Sequence, residues 1–108
     1  METSESTVNG ITVLKLSGRL DGLAAPGLEK KLNEVLAGGA TRLVFDCSRV
    51  EYASSAGLRV FLLAAKQLKT LGGSCAFACL TPALHEVFSV SGFLEILEVH
   101  DTVEQAAA

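Results

Sequence analysis

Two adjacent hydroxyls, Ser54 and Ser55, stand directly before a strongly apolar run in the segment YASSAGLRVFLL, residues 52–63. A serine at a helix start can act as a cap, because its oxygen accepts a hydrogen bond from a free amide of the first turn. A serine hydroxyl can also act as a nucleophile or accept a phosphate group. Local chemistry favours the capping role and allows either serine to fill it.

Three features of this segment point beyond a cap. One serine would be enough to cap the helix, and the small residues Ala56 and Gly57 are expected to leave the hydroxyls open to approach. The helix behind them is also apolar on more than one face. Its main stripe comprises Leu58, Phe61, Leu62, Ala65 and Leu68, and its surplus comprises Val60, Leu63 and Ala64. An apolar surplus beside an accessible hydroxyl predicts a docking face.

Hydrolytic chemistry at the serines is disfavoured. The segment lacks the G-x-S-x-G elbow of serine hydrolases. The candidate bases His85 and His100 have no local sign of an acid that would orient them. The glycine pairs form no phosphate-binding loop, because no Gly-Lys-Ser/Thr follows them. We therefore predict a protein that is not an enzyme.

Three cysteines, Cys47, Cys75 and Cys79, lie in or beside apolar stretches. An odd number of cysteines in such surroundings predicts small buried thiols in a reducing compartment. Neither histidine stands at ligand spacing from a cysteine, so we expect no metal site.

The bulk composition is that of one globular domain spanning residues 1–108, with 49% apolar and 19% charged residues. The net charge is −3 and the lysines and arginines are scattered, which disfavours direct binding of nucleic acid. The longest apolar runs have six residues, far short of the roughly 20 needed for a membrane span. The N-terminus does not resemble a signal peptide, and we expect a cytoplasmic protein.

Strands and helices are predicted to alternate along the chain in the order β-β-α-β-α-β-α-β-α. Asn9-Gly10 predicts a type I′ hairpin between a polar edge strand, residues 2–8, and a strand that is apolar on both faces. Further strands are predicted at residues 43–45, 74–80 and 93–99. Helices are predicted at residues 24–39, from the serine pair to about Leu71, from Thr81-Pro82 to Ser91-Gly92, and after a cap at Asp101. This order predicts the α/β class, with a mixed, mostly parallel sheet and about four helices.

The run DCSRVEYASSAGLRVFLLAAKQLKTLGG, residues 46–73, closely resembles the signature of bacterial anti-sigma factor antagonists, the STAS domain family. SGRLD, VSGFLEILEVHDTVEQA and the element order agree with it. The resemblance implies that the unphosphorylated form binds an anti-sigma factor that is also a serine kinase, and so releases a sigma factor. Phosphorylation of a serine at the start of the second helix would end binding, and a phosphoserine phosphatase would restore it. The resemblance implies no cofactor.

Matching on Gly57-Leu58 places the family's phosphate acceptor on Ser55, with Ser54 as the second choice. Ser54 stands where the family often has aspartate, and Ala56 where it often has a hydroxyl. Asp21 matches the family's acidic residue after the second strand. Together with Ser55, the implied switch and partner-binding residues are Asp21, Asp46, Ser54, Ala56, Gly57, Arg59 and Leu63.

Structural and functional alternatives stay open beside this interpretation. Asp21 and Asp46 could each cap a turn at a strand end, and Arg59 could be a solvated surface residue. A STAS-like domain could instead be a subunit or regulator of a transport ATPase complex, in which no serine is phosphorylated.

Overall fold

The computed structural model describes residues 1–108 and contains one five-stranded sheet. The strands are β1 (Glu2–Val8), β2 (Ile11–Leu20), β3 (Arg42–Ala53), β4 (Ser74–Ala78) and β5 (Glu98–His100), and they lie side by side in that order. β1 runs antiparallel to β2, and every other neighbouring pair is parallel. The predicted mixed, mostly parallel sheet is confirmed.

The opening hairpin forms as the turn residues predict. Asn9 and Gly10 both have positive φ, 53° and 77°, which is the backbone that a type I′ turn requires. All residues of β1 except the half-buried Val8 are exposed, so β1 is the polar edge strand that was expected.

Five helices accompany the sheet, one more than predicted. They are α1 (Ala25–Ala37), α2 (Ser55–Thr70), α3 (Pro82–Ser91), α4 (Phe93–Ile96) and α5 (Val103–Ala106). Pro26 lies in the first turn of α1, and Thr81 caps α3 through the amide of Leu84. The cap of α5 is Thr102, which accepts from the amide of Gln105, so the prediction of Asp101 was wrong. None of these helices has the length and apolar composition needed to cross a membrane.

The apolar residues fall into two cores, one on each face of the sheet. The larger core has 20 buried residues and lies under α1, α2 and α3. The smaller core has seven and includes Ala106 of α5. β2 serves both, because Leu14 and Leu16 point into the larger core while Ile11 and Val13 point into the smaller one. The expectation that β2 is covered on both faces is confirmed.

All five phenylalanines of the chain meet in the larger core, and we call them the phenylalanine cluster. Their neighbouring ring centroids lie 5.0–6.0 Å apart. Phe61 of α2 contacts Phe45 and Phe77 of the sheet and Phe88 of α3. Aromatic pairs at these distances attract each other beyond the area that they bury. The cluster therefore holds α2 against the sheet.

The prediction of a strand over residues 93–99 was wrong at its start. Gly92 ends α3 with φ of +79°, and the chain then forms the short helix α4 before β5 begins at Glu98. Phe93, the first residue of α4, packs on the ring of Phe88, with centroids 5.7 Å apart. A short apolar run does not distinguish a helix from a strand by its pattern alone.

The third strand is much longer than the three residues predicted. β3 continues past Asp46 to Ala53, and Leu20 of β2 pairs with Ala53 at its end. Val50 and Ala53 are buried in the larger core, while Glu51 and Tyr52 are exposed. This extension passes beyond β4, which pairs only with residues 42–46 of β3. It carries the serine pair to one end of the molecule.

Candidate functional site

The N-terminal end of α2 is fixed against the end of β2. The amide of Ser54 donates to the carbonyl oxygen of Leu20 at 2.9 Å. A Cβ added to Gly57 would lie 2.5 Å from Leu20 Cγ and 2.6 Å from Leu20 O. Gly57 is therefore required by close packing. Leu20 occupies the space beside Gly57, so the missing side chain serves packing, and the exposure of Ser55 does not depend on it.

The two serines differ in what their hydroxyls do. Ser54 has extended backbone and is the N-cap of α2, with its Oγ accepting from the amide of Gly57 at 3.3 Å. Ser55 is the first residue of the helix and is exposed. The structure thus assigns the cap to Ser54 and leaves Ser55 accessible at the helix N-terminus.

Asp21 shapes the turn that joins β2 to α1. Its Oδ1 accepts from the amides of Leu23 at 3.1 Å and Ala24 at 3.0 Å. The turn-capping alternative for Asp21 is therefore observed. Asp21 also directly follows Leu20, whose carbonyl oxygen accepts from the Ser54 amide, so its backbone lies beside the N-terminal end of α2.

Asp46 lies away from this end of the molecule. It pairs with Lys15 and Ala78 in the sheet, and Ala78 belongs to the smaller core. Asp46 thus points to the sheet face opposite α2, and eight residues of mostly extended chain, about 25 Å, separate it from Ser54. Its Oδ1 accepts from the amide of Ser48 at 3.0 Å. The expectation that Asp46 ends a strand near the serines was wrong.

Arg59 connects α2 to α1 instead of being only solvated. Its Nη2 donates to Glu29 Oε1 at 3.0 Å, although 66% of the arginine side chain is exposed. Both residues line a groove of about 620 Å³ between the two helices, and Gly22 of the β2–α1 turn and Ala56 line it too. The N-terminal end of α2 thus contains most of the predicted site residues, namely Ser54, Ser55, Ala56, Gly57 and Arg59. Asp21 lies in the neighbouring turn between β2 and α1.

The predicted apolar surplus on α2 is mostly absent. Val60 and Ala64 are fully buried in the larger core, so they contribute to packing. Leu63 is half-buried, two turns along the helix from Ser55. The expected docking face on these three residues was wrong, because the buried stripe is shifted around the helix, which leaves Leu58, Leu62 and Ala65 half-buried.

A different apolar residue is exposed at the site. Leu23 is 94% exposed in the turn that Asp21 shapes, and sequence reasoning missed it. The signal was present in GLAAPG, residues 22–27, where a leucine stands outside any helical or strand periodicity. Its neighbour Gly22 lines the same groove as Ala56, the residue after Ser55, so Leu23 belongs to the same end of the molecule as the serine pair.

The thiols are held in their neutral form. Burial raises the pKa of Cys47 strongly, with a smaller contribution from Asp46. Burial also raises the pKa of Cys75 to about 12 and that of the half-buried Cys79 by a smaller amount. All three cysteines are free. Only Cys47 is fully buried, so the prediction of buried thiols holds in full for that residue alone.

Comparison with known proteins places this arrangement in context. The family model of the STAS domain matches residues 4–106. The "Putative anti-sigma factor antagonist BtrV" of Bordetella bronchiseptica is 40% identical over 108 residues, which cover 100% of this chain and 93% of that protein. The solved structure of an anti-sigma factor antagonist from Mycobacterium paratuberculosis has a TM-score of 0.88 at 26% identity, covering 97% of this chain and 89% of the other.

The unphosphorylated and phosphorylated forms of Bacillus SpoIIAA both resemble this fold. Each has a TM-score of 0.74, at 20% and 22% identity respectively. The alignments cover 98% and 97% of this chain, and 94% and 96% of SpoIIAA. At this level of identity the likeness concerns the fold.

Proposed function

Because the chain belongs to the STAS domain family, we propose that it is an anti-sigma factor antagonist switched by phosphorylation of Ser55. The unphosphorylated form binds an anti-sigma factor serine kinase, and the sigma factor is released. Phosphorylation ends that binding, and a phosphoserine phosphatase restores it. The observation that carries this proposal is the exposed Ser55 hydroxyl beside a serine that already caps the helix.

The geometry supports Ser55 over Ser54 as the acceptor. A kinase must reach the hydroxyl oxygen so that it can attack the γ-phosphorus of ATP, displace ADP and lose its proton. Ser54 is half-buried, and its hydroxyl oxygen already accepts a hydrogen bond from the Gly57 amide at 3.3 Å. The Ser55 hydroxyl is exposed and has no capping role. Phosphorylation at Ser55 therefore leaves the helix cap in place.

The phosphorylated domain should keep its fold. A phosphate carries about −1.5 to −2 charges, and the N-terminal end of a helix stabilises such a charge by roughly 0.3–1 kcal/mol. Ser55 makes no contribution to either core that the phosphate would disturb. The equal TM-scores of the two SpoIIAA forms agree with a fold that is retained in both states.

The phosphate is expected to weaken partner binding without changing the fold of the domain. A partner that covers Ser55 must remove water from a dianion, which is costly without new cationic contacts. Asp21 adds a carboxylate nearby, whereas Asp46 lies on the opposite face of the sheet and adds none. A loss of about 3–4 kcal/mol would weaken binding a few hundredfold. The switch therefore needs no rearrangement of the domain.

The proposed contact surface comprises Leu23, Ser55 and Arg59. Leu23 supplies exposed apolar area, and Arg59 supplies a largely exposed cation. Gly22, the neighbour of Leu23, and Ala56, the neighbour of Ser55, both line the groove between α1 and α2. A partner seated here would bury the Ser55 hydroxyl.

The test is to incubate the protein with its cognate anti-sigma factor kinase and ATP, and to locate the phosphate by mass spectrometry. We expect phosphate on Ser55 in the wild type and in Ser54→Ala, and none in Ser55→Ala. The Ser55→Ala variant should stay bound to the kinase in the presence of ATP. Phosphate on Ser54 alone would overturn the assignment. No phosphate, with co-purification of a transport ATPase, would support the transport-complex alternative instead.

A further inference from the structure

The ion pair between Arg59 and Glu29 lies within reach of the proposed phosphorylation site. Arg59 Nη2 and Glu29 Oε1 are 3.0 Å apart and join α2 to α1 at the groove. Both side chains are partly exposed, 66% for Arg59 and 35% for Glu29. An ion pair with this exposure is weak, because water screens both charges. A stronger anion nearby can therefore displace Glu29.

Ser55 and Arg59 are four residues apart on the same helix. Side chains with this spacing lie on one face of a helix, with Cβ atoms about 5–6 Å apart. Arginine is long enough to contact a phosphate at that distance, and its planar group donates two parallel hydrogen bonds to phosphate oxygens. Lys66 is 11 residues from Ser55, about 16 Å along the helix axis, so it is out of reach.

We propose that Arg59 is the internal receptor of the Ser55 phosphate: it leaves Glu29 for the phosphate and so breaks the ion pair between α1 and α2. This inference rests on the proposed phosphorylation of Ser55. The guanidinium prefers the phosphate to Glu29, because the phosphate charge of about −1.5 to −2 exceeds that of a carboxylate. The groove also contains Lys30 and Glu34 on α1, and Lys30 is the one other cation that lines it.

The exchange would change the proposed contact surface in two ways. Arg59 would no longer be available to an incoming partner, because the phosphate holds its guanidinium. Glu29 would lose its counter-charge and add a second anion to the surface. Phosphorylation would thus alter charge on α1 as well as on α2, although the helices keep their positions in the core.

The experiment uses the full chain with phosphoserine encoded genetically at position 55, so that no kinase is needed. The second ionisation of the phosphate is followed by ³¹P NMR as the pH is varied. We expect the phosphate to titrate about 0.5 pH unit higher in Arg59→Gln, because a nearby cation favours the dianion. Lys66→Gln removes the same charge three turns away and should titrate like the wild type.

The ¹⁵N signal of Arg59 and the titration of Lys30→Gln test the same contact in two further ways. The ¹⁵N signal of Arg59 Nε should move on phosphorylation, and it should also move in unphosphorylated Glu29→Gln, which removes the same partner. A titration in Arg59→Gln identical to the wild type would overturn the proposal. A shift seen in Lys30→Gln and absent in Arg59→Gln would likewise overturn it by assigning the receptor to Lys30.

Kinase binding separates this inference from the proposed function. If phosphoserine at position 55 weakens kinase binding while Arg59→Gln leaves the titration unchanged, only the role of Arg59 is wrong. If phosphoserine leaves kinase binding intact, the proposed switch is wrong whatever the titration shows, and the Arg59 proposal fails with it.

Discussion

The two faces of α2 have opposite characters. The inner face comprises Gly57, Val60, Phe61, Ala64 and Leu68, and all five residues are buried. The outer face carries the exposed Ser55 and the largely exposed Arg59, which is paired only with Glu29. The inner face meets two strands and a helix through the phenylalanine cluster. On the outer face, the ion pair between Arg59 and Glu29 joins α2 to α1.

This difference separates stability from signalling within a single helix. A charge added on the outer face disturbs no buried contact, so the domain can change its binding surface and keep its fold. Ser54 and Gly57 lie at the boundary between the two faces. The Ser54 amide donates to the carbonyl oxygen of Leu20, and Gly57 packs directly on Leu20. We therefore expect large stability effects for inner-face substitutions and small ones for outer-face substitutions.

The largest expected effect is that of Phe61→Ala. The side chain is fully buried and contacts three other rings of the phenylalanine cluster. Its removal should lower the free energy of unfolding by about 3–5 kcal/mol. Urea unfolding measures this change, with the exposed Lys66→Ala as the outer-face control, expected within about 0.5 kcal/mol. Similar losses for both variants would mean that the two faces of α2 contribute equally to stability.

Gly57→Ala should have the next largest effect. The added Cβ would lie 2.5 Å from Leu20 Cγ, so either the helix end or β2 must move. Such overpacking costs about 1–3 kcal/mol. Gly27→Ala in α1 is the matched control, because a Cβ there meets nothing within 4 Å and alanine is the better helix former. The two variants should therefore change the unfolding free energy in opposite directions.

The pH dependence of stability tests how well the larger core excludes water from the Cys75 thiol. Cys75 in β4 packs against the larger core, and burial raises its pKa from 9.0 to about 12. Above pH 9 the unfolded chain loses this proton first, so the free energy of unfolding falls as the pH rises towards 12. At pH 10 the loss from this one thiol should be about 1–1.5 kcal/mol relative to pH 8.

Replacement of the thiol isolates its contribution to that pH dependence. Between pH 8 and pH 10, the free energy of unfolding should fall by about 1–1.5 kcal/mol less in Cys75→Ala than in the wild type. Ser74→Ala changes the preceding residue without removing a titrating group, and it should follow the wild type. The unfolding free energies are measured by urea unfolding at each pH. If they fall equally with pH in Cys75→Ala and in the wild type, water reaches this thiol in the folded protein.

Most of the fold could be predicted from the sequence, because its signals are local. Asn9-Gly10 identifies the hairpin, and Thr81-Pro82 identifies the start of α3. The errors occurred where tertiary packing overrides the local pattern. β3 continues past Asp46 because Val50 and Ala53 fit the larger core, and α4 starts at Phe93, which packs on Phe88.

The site could be predicted only to the level of its segment. Residues 52–63 identify a helix start with two hydroxyls, and the family resemblance selects Ser55. The pairing of Arg59 with Glu29 joins residues 30 positions apart, so it depends on how α1 packs beside α2. The close approach of Gly57 to Leu20 depends on where β2 ends. Neither contact has a local signal in the sequence.

The smallest expected difference is between the two serines, and it tests the boundary between the faces. Ser54→Ala removes the cap of α2 and should cost about 0.5–1 kcal/mol, at the lower end for a cap because the bond to the Gly57 amide is long, at 3.3 Å. Ser55→Ala should change the unfolding free energy by less than about 0.5 kcal/mol, because the residue is exposed and alanine favours the helix. Urea unfolding of both variants, measured beside the wild type, resolves them. A larger loss in Ser55→Ala than in Ser54→Ala would mean that Ser55 contributes to the cap, and its hydroxyl would then be less available to a kinase.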